Sequence, residues 1–199
     1  MKHQRYYRRS FLLLVILLPA TFSMSQISFD PGYGCLNVID ISSSQGLGDY
    51  GDKCISANYL HEVFINEQFA IGGGIGYSHH DKYNFSAIPV FISTHYFFLD
   101  KRFSPFINLR VGGYRMYGKK NVDTRQKFSI SSKKPDFNLY VSPVIGVKLH
   151  ITPDIGIMAS ISDGICLVNA FDAQKNDYRN KFIHDWGINI GICFQIRGW

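Results

Sequence analysis

The chain has 199 residues, of which 46% are hydrophobic, 15% aromatic and 18% charged, and its formal net charge is +6. This composition excludes an intrinsically disordered chain and a collagen-like repeat, and four cysteines are too few for a disulfide-stapled miniprotein. The length favours a single domain with ample apolar surface to bury.

The N-terminus carries much of the positive charge. Its basic residues are Lys2, Arg5, Arg8 and Arg9. An apolar run at residues 11–22 and then small residues follow, an order typical of a secretory signal peptide, and the run is too short to span a bilayer. We predict a cleaved signal peptide at residues 1–25 and one mature domain at residues 26–199. Without the four cations, 17 basic residues stand against 15 acidic ones, a net charge of +2, so the charge predicts no nucleic-acid partner.

Apolar residues recur at every second position through the mature sequence. The clearest case lies near the C-terminus, where Ile188, Ile190 and Ile192 alternate with Asn189 and Gly191. Alternation of this kind predicts strands with one apolar face rather than helices. The eight candidate strands span residues 32–42, 53–65, 68–78, 85–99, 103–117, 137–151, 154–165 and 183–197.

The connections between these strands alternate in length. The tight turns fall at residues 65–68, 100–102 and 152–153. The longer polar links fall at residues 42–52, 79–84, 118–136 and 168–182. Short turns at one end and long loops at the other are typical of a transmembrane β-barrel, which must close on itself because hydrocarbon offers no hydrogen-bond partners. We therefore predict an all-β fold, an eight-stranded antiparallel up-and-down transmembrane β-barrel.

A soluble eight-stranded barrel of the lipocalin kind shows the same alternation, with its polar face in water. A water-facing surface needs many Lys, Glu, Asp and Arg side chains. The polar faces of these strands instead carry glycine, serine and asparagine, which suit a crowded lumen. Aromatic residues also cluster near the strand ends, as the interfacial girdles of a membrane barrel require. They are Phe69, Phe98, Phe103, Phe194 and Trp199 on the turn side, and Tyr77, Tyr117, Phe137 and Trp186 on the loop side.

Three stretches resemble a known family. They read FAIGGGIGY at 69–77, AIPVFISTHYFFLDKRFSPFINLRVGGY at 87–114 and VSPVIGVKLHI at 141–151. The chain resembles the small porin-like outer-membrane β-barrel proteins of Gram-negative bacteria, which have the eight-stranded OmpA-type barrel. The resemblance implies an outer-membrane location and assembly from the periplasm by periplasmic chaperones and the barrel-assembly machinery. It implies no catalytic residues and no cofactor.

The inward faces of the strands carry four candidate lumen charges, Glu62, Arg110, Lys148 and Arg197. A charge inside a narrow barrel is costly unless it is paired. One hypothesis is that Glu62 pairs with one or more of the three cations and plugs the barrel. The alternative is that loops or water satisfy each charge separately. Eight strands enclose a space just wide enough for their own side chains, so we expect no large pore.

The third long link is rich in cations. Its basic residues are Lys119, Lys120, Arg125, Lys127, Lys133 and Lys134. Outside the cell, such a loop would contact the phosphates of lipopolysaccharide or an acidic glycan, which makes outer-membrane lipid and lipopolysaccharide the expected partners. The alternative is a solvated flexible loop, the more common meaning of a run of charges.

Other motifs point to ordinary structural roles. The glycines at 72–76 precede no helix and no Lys-Ser or Lys-Thr pair, so they indicate strand glycines rather than a phosphate loop. The His-His-Asp sequence at 79–81 indicates a polar loop rather than a metal site. The cysteines show no metal spacing, and free thiols are favoured over a Cys35–Cys193 disulfide between the first and last strands. We predict no metal and no cofactor.

Catalysis is the alternative function, since some eight-stranded outer-membrane barrels acylate or deacylate lipids with Ser and His side chains. His184 and Ser162 would be neighbours near the outer rim, where the last two strands adjoin. No Ser-x-Gly elbow is present and nothing in the sequence activates the pair. We therefore predict a non-enzymatic protein, with a lipid acyl-ester hydrolase or acyltransferase as the alternative.

Overall fold

The computed structural model describes residues 34–47, 52–81, 85–99, 101–118, 128–130, 138–172 and 177–196. The predicted signal peptide, Arg197 and the predicted girdle residues Phe137 and Trp199 lie outside the described residues. So do all six cations of the third long link.

The described residues form nine antiparallel strands. They are β1 (Cys35–Gly46), β2 (Lys53–Phe64), β3 (Phe69–His80), β4 (Phe85–Phe97), β5 (Phe103–Gly118), β6 (Phe128–Ile130), β7 (Asn138–His150), β8 (Ile155–Asp172) and β9 (Asp177–Ile196). Apart from the short β6, each pairs with its neighbours in chain order, and β9 pairs with β1. The eight long strands therefore close into an up-and-down barrel, which confirms the predicted fold class. In the part of the chain that the structure describes, no helix has the length and hydropathy to cross a membrane.

Tight turns join the strands at one end of the barrel, here named the turn side. At the turn between β2 and β3, the side-chain Oδ1 of Asn66 accepts hydrogen bonds from the backbone N–H groups of Gln68 and Phe69 at 2.9 and 2.7 Å. This side-chain cap replaces backbone partners and lets the chain reverse within four residues. The opposite end, named the loop side, carries the remaining connections.

Alternate residues of each strand face the lumen and the outside. In β9, Ile188 and Ile190 are 65% and 63% exposed, whereas Asn189 between them is 3% exposed. Because the pleat sends successive side chains to opposite faces, the apolar row lies outside and the polar row lines the interior. This arrangement is the reverse of a soluble barrel and confirms the predicted orientation.

The first strand is apolar on both faces near the turn side. Leu36 and Val38 are buried in the lumen, while Ile39 and Ile41 are exposed on the outside. The register with β9, in which Ile41 lies opposite Ile190, joins the two outer rows. The irregular alternation of this segment therefore reflects an apolar layer inside the barrel.

The predicted boundaries differ most from the structure in the last two long links, and β1 also continues to Gly46, within the link predicted at 42–52. The predicted link at 168–182 is mostly strand, because β8 and β9 continue as one hairpin up to the pair Asp172–Asp177. The predicted link at 118–136 contains β6, which pairs with the end of β8. Beyond the apolar belt, backbone hydrogen bonds between the two strands hold the hairpin together. Its sequence therefore does not need to alternate between apolar and polar residues, and the strands there could not be recognised from alternation.

Candidate functional site: the barrel lumen

The turn-side half of the lumen is filled by a compact cluster of ionic and aromatic side chains. Glu62 of β2 and His95 of β4 are fully buried, and Nδ1 of His95 lies 2.6 Å from Oε2 of Glu62. A hydrogen bond therefore joins the imidazole ring of His95 to the carboxyl group of Glu62. The His95 ring stacks on Phe97 with centroids 5.5 Å apart. The hydrogen bond to His95 satisfies one oxygen of this buried carboxyl group, whereas the other, Oε1, has no hydrogen-bond partner among the described residues.

Two further side chains complete the cluster. The Nζ atom of Lys148 from β7 lies 3.9 Å from the centre of the Phe97 ring, a cation–π contact. Phe106 of β5 packs against the same ring, with centroids 5.9 Å apart. We name Glu62, His95, Phe97, Phe106 and Lys148 the turn-side plug.

A polar network crosses the middle of the barrel above the plug. Arg110 of β5 donates from Nη2 to Oδ2 of Asp40 at 2.6 Å and from Nε to Oδ1 of Asn108 at 2.9 Å. Asn58 of β2 donates to the other Asp40 oxygen at 2.7 Å. We name Asp40, Asn58, Asn108 and Arg110 the mid-barrel network. An Arg charge buried without such partners would cost several kcal/mol, so the network allows the cation to sit inside the barrel.

The two clusters are joined through Asn108. Its Nδ2 atom donates to Oγ of Ser93 at 2.7 Å and to the backbone oxygen of Thr94 at 2.9 Å, beside His95. Side chains from β1, β2, β4, β5 and β7 thus interlock across the axis. A lumen filled in this way has no room for a wide water column.

Above the mid-barrel network, the lumen opens into a cavity of about 90 Å³, named here the loop-side cavity. The side chains of its lining that bear on chemistry are Asp52, His80, Tyr114, Tyr140, Cys166 and Asp185. A space of this size holds several water molecules or one small organic molecule. The two halves of the lumen therefore differ: one is packed and the other is open.

Residues at the rim of this cavity form local contacts. Nδ1 of His80 lies 3.5 Å from Oδ2 of Asp52, and its ring stacks on Phe85 with centroids 4.2 Å apart. His79 points to the outer face and lies 3.8 Å from Asp81. Within the described ranges, no group of three or more His, Cys, Asp or Glu side chains is placed to hold a metal ion. The two histidines of the His-His-Asp sequence belong to β3, so the loop predicted there begins only after His80.

The cysteines are free thiols at positions 35, 54, 166 and 193. Cys35 lies opposite Ile196, and Cys193 lies opposite Val38 and faces the lumen. The disulfide considered between the first and last strands is therefore not formed.

The structure places three of the predicted lumen charges inside the barrel. Arg110 pairs with Asp40 rather than with Glu62, whereas a pairing of Glu62 with Lys148 stays a prediction. Sequence reasoning missed two acid–base partners, Asp40 and His95. Asp40 lies in the strand whose faces the alternation left ambiguous, and His95 is a lone histidine in an apolar stretch. In the structure each lies two residues from another buried side chain of its own strand, Val38 for Asp40 and Ser93 for His95, but no inward position on these two strands was assigned from the sequence.

The catalytic pair considered from the sequence is wrong. Ser162 faces the lumen and its Oγ donates to Oδ1 of Asn189 at 3.4 Å. His184 lies on the outer face, 46% exposed, with Nδ1 3.3 Å from Oδ2 of Asp163. The sheet separates the two side chains, because they fall on opposite faces of paired strands. No proton can pass directly between them.

No family model and no curated protein matches the chain. Among solved structures, it is similar to the Neisserial surface protein A, NspA, with 14% identity and a TM-score of 0.55 over 82% of this chain and 97% of that one. It is also similar to the outer membrane protein OprG from Pseudomonas aeruginosa, with 10% identity and a TM-score of 0.52 over 84% and 99%. The outer membrane enzyme PagL matches with a TM-score of only 0.44 and 14% identity over 76% and 97%, too low to argue from. The chain has the fold of the eight-stranded outer-membrane β-barrels.

Proposed function

We propose that the protein is an integral outer-membrane β-barrel with a structural or surface-binding role, without a large pore and without enzymatic activity. The observation that carries this proposal is the combination of an apolar exterior with a lumen closed by paired charges. A channel has to leave a path open along the barrel axis, whereas the turn-side plug and the mid-barrel network block that path here.

The exterior supports a bilayer location. Rows of isoleucine and valine are exposed around the barrel, and they are flanked by exposed aromatic residues at both ends. The exposed girdle residues are Phe98, Phe103 and Phe194 on the turn side, and Tyr77, Tyr117 and Trp186 on the loop side. Large contiguous apolar patches mark contact with a membrane or a partner, and aromatic belts on both sides favour the membrane. Export through a cleaved signal peptide at 1–25 would deliver such a chain to the Gram-negative outer membrane.

The loop side supports contact with anionic lipid headgroups. Arg115 points outward near the end of β5, and its guanidinium lies 5.3 Å from the centre of the Tyr117 ring. The six cations of the link that follows β5 extend this basic region along the chain. Phosphates of lipopolysaccharide are the partners that such a surface would recruit. Periplasmic chaperones and the barrel-assembly machinery are the partners proposed for its biogenesis.

A non-enzymatic role is supported by the separation of Ser162 and His184 across the sheet. Incubation of the folded protein with purified lipid A tests it, with mass spectrometry as the readout. We expect intact lipid. Acyl-chain loss or transfer that requires the folded protein would establish the lipid-modifying alternative instead.

Electrophoresis of the detergent-folded protein with and without boiling tests the closed barrel. We expect different migration of the two samples, because a closed barrel resists detergent until it is heated. Identical migration would overturn the assignment.

Planar-bilayer conductance then tests the closed lumen: we expect no large stable currents from the native chain. Large stable currents from the native protein would overturn the proposal.

A further inference from the structure

The loop-side cavity has the features of a binding site for a small cation with an apolar body. We propose that it binds a small organic ammonium ion, with the charged nitrogen at the acidic side of the cavity and the hydrocarbon part against its aromatic wall. This inference goes beyond the proposed function, which assigns the lumen no ligand.

One wall of the cavity is apolar and aromatic. Tyr114 of β5 and Ala87 of β4 are buried together, and Phe85, Tyr140 and Cys166 pack against them. The Tyr140 ring also lies 6.1 Å from that of Phe91, below the cavity. Such a wall buries hydrocarbon at about 25 cal/mol per Å² and presents ring faces that attract cations.

The other side of the cavity is acidic. Asp185 of β9 and Asp52 before β2 both line it. The cation in its floor, Arg110, is already neutralised by Asp40 at 2.6 Å. Among the described residues no ion pair reaches Asp185, so its carboxylate faces the cavity without a counter-charge there. A bound cation would supply one.

A buried hydroxyl also points to a ligand. Tyr114 is 5% exposed, and its Oη atom has no hydrogen-bond partner in the described part of the chain. A buried hydroxyl without a partner is costly, and native proteins rarely retain one unless water or a ligand satisfies it. The N–H groups of an ammonium ion would donate to Oη of Tyr114 and to the carboxylate of Asp185.

The space between these groups is left open by a glycine. A methyl group placed on Gly164 would lie 3.7 Å from Cβ of Asp185 and 3.9 Å from Cε2 of Tyr140, both ordinary contact distances. Alanine is therefore tolerated at this position, whereas a longer side chain would extend into the cavity. Gly164 thus provides a way to fill the site without removing any of its polar groups.

Isothermal titration calorimetry of the full chain, folded in zwitterionic detergent micelles at constant ionic strength, tests the proposal. The probes are n-butylammonium, n-butanol and n-butyrate, which share one apolar body and differ in charge. Protein-free micelles are the blank. We expect butylammonium to bind at least about tenfold more tightly than butanol, and butyrate not to bind. Equal affinity for butylammonium and butanol, or no binding of butylammonium, would overturn the proposal.

Variants separate the site from the rest of the barrel. We expect Asp185→Asn to weaken butylammonium binding by about tenfold or more. Glu67→Gln is the control, since it removes an exposed acid at the turn side of the barrel, away from the cavity, and its affinity should be unchanged. Gly164→Leu should abolish binding and Gly164→Ala should retain it, with heat-dependent gel migration reporting that each variant is folded. Unchanged affinity in folded Asp185→Asn would overturn the site.

Discussion

The two halves of the lumen are built on the same strands but differ in packing. On the turn side the inward residues are large, and Phe97 and Phe106 are each 2% exposed. On the loop side the cavity is lined by small residues of β1, β2 and β7, such as Ser42, Ser56 and Ser142, together with the aromatic wall that contains Tyr114 and Tyr140. The number of strands sets one diameter for both halves, so side-chain volume alone decides which half is closed. One barrel can therefore be closed by packed side chains at one end and keep a cavity for a ligand at the other.

Removal of a plug aromatic should have the largest effect on stability. Phe97 contacts His95, Phe106 and Lys148, so Phe97→Ala leaves a gap that its neighbours cannot fill. We expect a loss of ~3–5 kcal/mol in the free energy of unfolding. Urea unfolding of the protein in lipid vesicles measures it. Phe98→Ala is the matched control, because the neighbouring ring is 48% exposed on the outer face, and an equal loss there would contradict the packed plug.

Breaking the mid-barrel network should come next. Asp40→Asn removes the charge that balances Arg110, and we expect a loss of about 3 kcal/mol, at the low end for a buried pair because asparagine keeps one acceptor. The same unfolding measurement applies. Asp163→Asn disrupts the exposed contact with His184 and should cost less than ~1 kcal/mol. Similar losses for the two variants would show that the ion pair between Asp40 and Arg110 does not stabilise the middle of the barrel.

The close approach of β2 and β3 beside Glu62 gives a smaller effect. A methyl group on Gly72 would lie 2.5 Å from Cα of Glu62 and 2.8 Å from the carbonyl carbon of His61. We expect Gly72→Ala to cost about 2 kcal/mol, because backbone has to move to admit it. Gly73→Ala places its methyl group on the outer face, 3.5 Å from the nearest atom, and should change stability by less than ~0.5 kcal/mol. Equal stability of the two alanine variants would refute tight packing at the turn side.

The loop-side half should respond in the opposite direction. Tyr114→Phe removes a buried hydroxyl that has no partner among the described residues, so we expect a gain of about 1 kcal/mol in the absence of ligand. Tyr59→Phe is the control, since that hydroxyl donates to Oδ1 of Asn37 at 2.9 Å and its removal should not stabilise the protein. A loss of stability in Tyr114→Phe would mean that the hydroxyl already has a hydrogen-bond partner. The hydroxyl would then be less available to a ligand in the cavity.

Much of the fold can be predicted from the sequence, because a sheet with one apolar and one polar face requires apolar and polar residues to alternate along each strand. The row of Ile188, Ile190 and Ile192 marks the outer face without any knowledge of tertiary structure. The extension of β8 and β9 beyond the belt does not follow, since strand pairing there rests on backbone hydrogen bonds. The strand β6 is too short to show a period.

The lumen is harder to predict, because its contacts join strands distant in sequence. Arg110 was recognised as an inward charge, but its partner Asp40 is 70 residues away. Alternation assigns a face to each residue but does not give the stagger between strands that brings two inward side chains to one height. The register decides whether Glu62 meets His95 or another side chain.

The most direct test of the central claim is a nitroxide scan along β9 in lipid vesicles. Single cysteines at positions 188, 189, 190 and 192, in a background with the native cysteines replaced by serine, carry the label. We predict high collision rates with lipid-soluble oxygen at Ile188, Ile190 and Ile192 and a low rate at Asn189. Uniform rates, or a maximum at Asn189, would contradict a barrel whose apolar face contacts the bilayer and whose polar face lines a closed interior.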